Sequence, residues 1–122
     1  MPKKILLIDD EPDVRQVLQL TLELSYGWQV ETAASGSEGV NKAKTLIPDA
    51  ILLDIMMPGL DGVATLNQLQ TYPETQQIPV IFLTAKLETE QKRYTETQAK
   101  AVLSKLIDPL AFGDKVISVL GW

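Results

Sequence analysis

Two short apolar runs in this chain end in carboxylate. Ile5-Leu6-Leu7-Ile8 leads into Asp9-Asp10-Glu11, and Ala50-Ile51-Leu52-Leu53 leads into Asp54. Continuous apolar runs of this length are how strands buried on both faces read, and such strands belong to parallel sheets covered by helices. If both lie in one sheet, their acidic ends stand side by side at its carboxyl edge, where open α/β sheets bind ligands. Carboxylates gathered in a partly desolvated site repel one another unless a cation joins them. The pattern asks for a hard metal ion.

The rest of the chain alternates apolar runs with helical spacing, the order expected of βα units around a parallel sheet. Pro12 suits a first helical turn, Glu11 and Asp13 favour the positive end of a helix, and Val14, Val17, Leu18 and Leu22 recur at helical spacing. A helix from about Glu11 to Ser25 follows. Gly27 punctuates it, and Trp28 to Ala33 alternates apolar with polar, as a strand nearer the sheet edge does. Ser35 and Glu38 match a capping box for a second helix with Val40, Ala43 and Ile47 as its stripe and Pro48 as its stop.

Ala50 to Asp54 reads as the central strand. Beyond the turn-rich loop from Ile55 to Gly62, Asp61 can cap a third helix carrying Val63, Leu66 and Leu69, which ends before Pro73. Ile78 to Thr84 reads as a fourth strand, with Pro79 tolerable only at its start. Leu87 to Gln98 is mostly polar, with Leu87 and Tyr94 as its large apolar anchors, and predicts a thinly buried, mobile helix. Ala101 to Ser104 suits a final edge strand. Asp108 and Pro109 then open a closing helix whose Leu110, Val116, Ile117 and Leu120 are expected to face inward.

At 122 residues the chain has the size of one domain, spanning 1–122. A net charge of -5 argues against direct nucleic-acid binding, which draws on clustered Lys and Arg. The absence of Cys excludes disulfides and thiolate chemistry; the absence of His excludes imidazole ligation, a phosphohistidine carrier role and Ser-His-Asp catalysis. The apolar run after Lys3-Lys4 is too short for a signal or a membrane span, so no membrane partner is expected and a cytoplasmic location is.

Residues at strand carboxyl ends converge even when distant in sequence. Asp9, Asp10 and Asp54 could hold Mg²⁺, which is commonly bound by one or two carboxylates plus phosphate. One Asp could instead attack phosphorus, since carboxylates form aspartyl phosphates. Thr84 and Lys105 could bind the phosphoryl oxygens. Taken singly, Asp9 and Asp10 could cap the first helix, Asp54 could be a strand-end turn residue, Thr84 a strand residue and Lys105 a solvated charge. Met56 and Met57 read as core or loop filler.

Ile5 to Pro12, Asp54-Ile-Met-Met-Pro-Gly-Leu-Asp-Gly62, Leu83-Thr-Ala85 and Lys105, in this order and spacing, resemble the receiver domain of two-component response regulators over the whole chain. The resemblance implies a flavodoxin-like (βα)5 fold with a five-stranded parallel sheet of order 2-1-3-4-5 and helices on both faces. It implies Asp54 as phosphoacceptor, Asp9 and Asp10 as Mg²⁺ carboxylates with Asp54, and Met56 as donor of a backbone carbonyl to the metal. It further implies Thr84 as switch hydroxyl, Lys105 as the phosphate-pairing lysine, and Ala85 as the small residue that leaves the acceptor accessible. The implied partners are a sensor histidine kinase or phosphotransfer protein and a downstream protein target met through the face of the fourth and closing helices. Such a protein is a switch more than an enzyme.

Three positions depart from the family pattern. Val102 stands where an aromatic switch residue is usual, Leu106 where a cis proline usually follows the lysine, and Gln98 where glycine commonly ends the fourth helix. A trans Lys105-Leu106 bond is expected, since a cis non-proline bond costs roughly 3 kcal/mol. A receiver-like scaffold that no longer cycles phosphate is the alternative these departures motivate. A Mg²⁺-dependent phosphatase acting on small molecules fits less well, for want of a substrate-cap insertion and of a general acid near Asp54.

Overall fold

The apolar runs form strands because their side chains alternate between two interiors. The computed structural model describes residues 2–85, 97–105 and 108–122. Its strands are β1 (Lys4–Ile8), β2 (Gln29–Ala33), β3 (Ala50–Asp54), β4 (Val80–Thr84) and β5 (Ala101–Ser104). All pair in parallel, in the order β2-β1-β3-β4-β5. Four helices accompany them among the described residues: α1 (Pro12–Tyr26), α2 (Gly36–Leu46), α3 (Gly62–Thr71) and α4 (Pro109–Leu120). This is the flavodoxin-like arrangement expected. The helix expected over Leu87–Gln98 falls almost wholly outside the described residues, as does the Lys105-Leu106 bond.

Leu6, Ile8, Ile51, Leu53, Val80 and Phe82 meet Val40 and Ala43 of α2 and Leu66 and Leu69 of α3 on one face. Ile5, Leu7, Leu52, Ile81 and Leu83 meet Leu18 and Leu22 of α1 and Phe112 and Val116 of α4 on the other. Every residue of β3 and β4 is buried, whereas β5 is half-buried throughout and β2 alternates, as edge strands do. At β2 the outward backbone is covered by side chains. Gln19 Nε2 donates to Val30 O at 2.8 Å, Lys42 Nζ donates to Thr32 O at 2.5 Å, and Glu23 Oε2 accepts from Val30 N at 3.4 Å.

The caps match their sequence signals. Ser35 Oγ accepts from Glu38 N at 3.2 Å, Asp61 Oδ1 from Ala64 N at 2.8 Å, and Asp108 Oδ1 from Leu110 N at 3.0 Å. Some inward assignments do not hold. Val17 is 47% exposed, because the buried stripe of α1 runs through Leu18 and Leu22, with Val14 and Tyr26 half-buried at its ends. Ile47 is not on the α2 stripe: Pro48 disfavours helical backbone before it, so the helix stops at Leu46 and Ile47 turns left-handed (φ 46°) and half-exposed. Leu110 is 62% exposed, since Phe112 and Val116 take the core side of α4. The fourth strand begins at Val80; Pro79 has no N–H to donate but its carbonyl still accepts from Ile51 N at 2.9 Å.

Candidate functional site

Sheet register assembles the acidic cluster. β1 and β3 pair Ile8 with Leu53, so the next residues, Asp9 and Asp54, emerge side by side at the carboxyl edge. β4 and β5 pair Thr84 with Ser104, which brings Thr84 and Lys105 to the same edge, and Lys105 N donates to Thr84 O at 2.9 Å. One carboxylate oxygen from each of Asp9, Asp10, Glu11 and Asp54 lies within 4.8 Å of the others. Lys105 reaches into this group: its Nζ stands 2.9 Å from Glu11 Oε1, 3.0 Å from Asp9 Oδ2 and 3.2 Å from Asp54 Oδ2. The ammonium is therefore no solvated charge. Its side chain is 8% exposed.

The surrounding backbone fixes these carboxylates. Asp9 Oδ1 accepts from Glu11 N at 2.9 Å, and Arg15 Nη1 donates to Asp9 O at 2.7 Å. The N-cap of α1 is Glu11, without a side-chain cap bond, so Asp9 and Asp10 are not its capping residues. Asp54 Oδ1 accepts from Met56 N at 3.3 Å. Gly62 closes the following loop by donating its N–H to Ile55 O at 2.9 Å, and a Cβ there would lie 2.5 Å from Asp54 O and 2.7 Å from Ile55 Cα. Only glycine fits against that backbone.

Burial sets the electrostatics. It pushes the Asp54 carboxyl up to about 7, reinforced by the charge of Asp9 and partly offset by Lys105. Burial likewise raises Asp9, against the Glu11 backbone N–H and Lys105. Burial works to lower the Lys105 ammonium, but its hydrogen bond to Glu11 and the close carboxylates of Asp9 and Asp54 outweigh this and hold it above the usual range. Asp9 Oδ2 and Asp54 Oδ2 are buried and accept no hydrogen bond of directional geometry, although Lys105 faces both at ion-pair distance. An all-oxygen donor set with two under-satisfied buried oxygens fits a hard divalent cation.

The remaining residues singled out in the sequence surround this cluster. Thr84 is buried at the end of β4, and Ala85 is exposed immediately after it. Met57 joins the core, while the Met56 side chain is 66% exposed beside Asp54. Val102 is half-buried against the interior below α2 and α3, in register with Phe82. Sequence reasoning did not anticipate the tie between Glu11 and Lys105. The two are 94 positions apart, and Glu11 by itself reads as an N-terminal helix charge.

The model of the response regulator receiver domain family matches residues 5–116. The chain is 39% identical over 121 residues to the alkaline phosphatase synthesis transcriptional regulatory protein PhoP of Bacillus subtilis, covering 98% of this chain and 49% of PhoP. It is 40% identical over 106 residues to protein PilH of Pseudomonas aeruginosa, covering 86% of this chain and 87% of PilH. The chain thus spans about half the length of the first curated relatives it matches. The receiver domain of sensor histidine kinase PA1611 from Pseudomonas aeruginosa, solved with a magnesium ion coordinated in its active-site cleft, superposes with a TM-score of 0.87 at 25% identity, covering all of both chains. No helix among the described residues is long and apolar enough to cross a membrane. With the sheet order, the clustered acids and these relatives in agreement, the chain belongs to the response regulator receiver domain family, the signalling switches of two-component systems.

Proposed function

We propose that Asp54 accepts a phosphoryl group from the phosphohistidine of a sensor histidine kinase or phosphotransfer protein. The observation that carries this is the shared ammonium: Lys105 lies 3.2 Å from a carboxylate that is 2% exposed and crowded by Asp9. The N–P bond of the donor breaks as an O–P bond forms on Asp54, and the imidazole leaves with the electron pair and takes up a proton. Lys105 then pairs with the phosphoryl oxygens, the Thr84 hydroxyl donates to them, and Ala85 leaves them room. Asp9, Asp10 and Asp54 with the Met56 carbonyl would hold Mg²⁺, which neutralises charge on the carboxylate and the phosphoryl oxygens alike.

Phosphorylation adds roughly 1.5 to 2 negative charges at the sheet edge. Thr84 and Lys105 stand at the ends of β4 and β5, so drawing both toward the phosphate would shift that edge of the sheet, where a downstream protein would bind. Signalling of this kind suits the cytoplasm. A scaffold that does not cycle phosphate would have no use for buried carboxylates held at a cost in repulsion.

Incubation with acetyl phosphate and Mg²⁺, followed by intact-mass measurement, tests the proposal. Wild type should gain one phosphoryl group and Asp54→Asn none; equal gain by both would overturn it.

A further inference from the structure

We infer that Glu11 is a positioning residue that holds Lys105 at the mouth of the site and competes with the phosphoryl group for its ammonium. This rests on the assignment of Asp54 as phosphoacceptor.

Lys105 has three N–H donors and three carboxylate neighbours, of which Asp9 and Asp54 are buried while the Glu11 side chain is 60% exposed. The contact at 2.9 Å therefore draws the ammonium toward solvent, against the pull of the two inner acids. The backbone of Glu11 is anchored beside the site. Its N–H is held by Asp9 Oδ1, its carbonyl accepts from Arg15 N at 3.1 Å, and Pro12 follows it at the first position of α1. A cation seated among Asp9, Asp10 and Asp54 would repel the ammonium from those acids, leaving Glu11 as the acceptor at the rim. Lys105 Nζ already lies 3.2 Å from Asp54 Oδ2, so a phosphoryl group there would draw the ammonium inward and weaken its contact with Glu11, whose carboxylate then faces the incoming charge less well paired. Both effects oppose phosphorylation.

The test compares phosphorylation by acetyl phosphate at fixed Mg²⁺ in wild type, Glu11→Gln, Glu11→Asp and Asp13→Asn, read by intact mass over time. Glu11→Gln should react faster by about 3- to 10-fold, the scale of one partly exposed charged contact. Glu11→Asp keeps the charge but loses one methylene of reach, so it should follow Glu11→Gln. Asp13→Asn, an exposed acid in the same helical turn, should stay within about twofold of wild type, because a screened surface charge contributes little. A second readout needs no phosphate: in the metal-free protein, the ¹⁵Nζ resonance of Lys105 should shift, and its ammonium protons exchange faster, in both Glu11 variants. An unchanged rate in Glu11→Gln, a wild-type rate in Glu11→Asp, or an unmoved Lys105 resonance would overturn the positioning role while leaving Asp54 as acceptor. Absence of phosphoryl mass on every protein would overturn the Asp54 assignment and this role with it.

Discussion

Lys105 Nζ lies 3.2 Å from Asp54 Oδ2, and both side chains are almost wholly buried. The same ammonium serves Asp9 at 3.0 Å, so it is the one described cation that keeps two inner carboxylates from facing each other unscreened. Lys105→Met should therefore destabilise the metal-free protein at pH 8 by about 3 kcal/mol, the scale of breaking a buried ion pair. Chemical denaturation in a chelator checks this. The loss should shrink at pH 5, where the carboxyls can protonate.

The Asp54 carboxyl, lifted from 3.8 to about 7 chiefly by burial and then by Asp9, links stability to pH. Between those values the folded chain holds a proton at this site that the unfolded chain has released, so stability falls as pH rises from about 4 to about 7. The slope from one such site is at most about 1.4 kcal/mol per pH unit. Asp54→Asn should flatten it and make the variant more stable than wild type at pH 8 in chelator. Urea unfolding at pH 5 and pH 8 gives the comparison; a wild-type slope in the variant would place the linkage elsewhere.

Gly62→Ala should damage fold and site together. Its Cβ would press on the Asp54 carbonyl at 2.5 Å and on Ile55 Cα at 2.7 Å, both backbone atoms that cannot rotate away. About 1 to 3 kcal/mol of stability should be lost, the usual cost of overpacking, and the loop that presents Met56 should shift. Thermal unfolding and Mg²⁺ titration calorimetry would show a lower Tm with weakened binding.

The β2 edge offers a test of assembly. Gln19 and Lys42 occupy the outward carbonyls of Val30 and Thr32, which blunts the edge against another strand. Removing both, in Gln19→Ala with Lys42→Ala, should cost about 1 to 3 kcal/mol and promote association at high concentration. Sedimentation velocity at several concentrations reads the second effect. A monomer indistinguishable from wild type would show that these caps do not guard the edge.

Much of this architecture is legible because its signals are local. Ile5–Ile8 and Ala50–Leu53 are apolar throughout because both faces of those strands are covered, and Asp61 and Asp108 announce helix starts through short-range bonds to Ala64 and Leu110. The acids were legible too, because each directly follows a strand. Signals that depend on competition between neighbours were not. Whether Val17 or Leu18 faces inward, or Leu110 or Phe112, turns on a rotation of about 100° per residue that an apolar count does not fix. Ile47 leaves the stripe that its apolar character suggests, because the constraint imposed by Pro48 outranks it. Glu11 escaped because its partner lies in another strand's loop and no local pattern links them.

Among the four clustered acids, Asp54 is the one proposed to react. Borohydride reduces an acyl phosphate to the alcohol, so treating the phosphorylated protein and mapping its peptides marks the acceptor directly. Homoserine at position 54, appearing only when both phosphodonor and Mg²⁺ are supplied, is the expected result. A reduced side chain at Asp9, Asp10 or Glu11, with position 54 still aspartate, would contradict it.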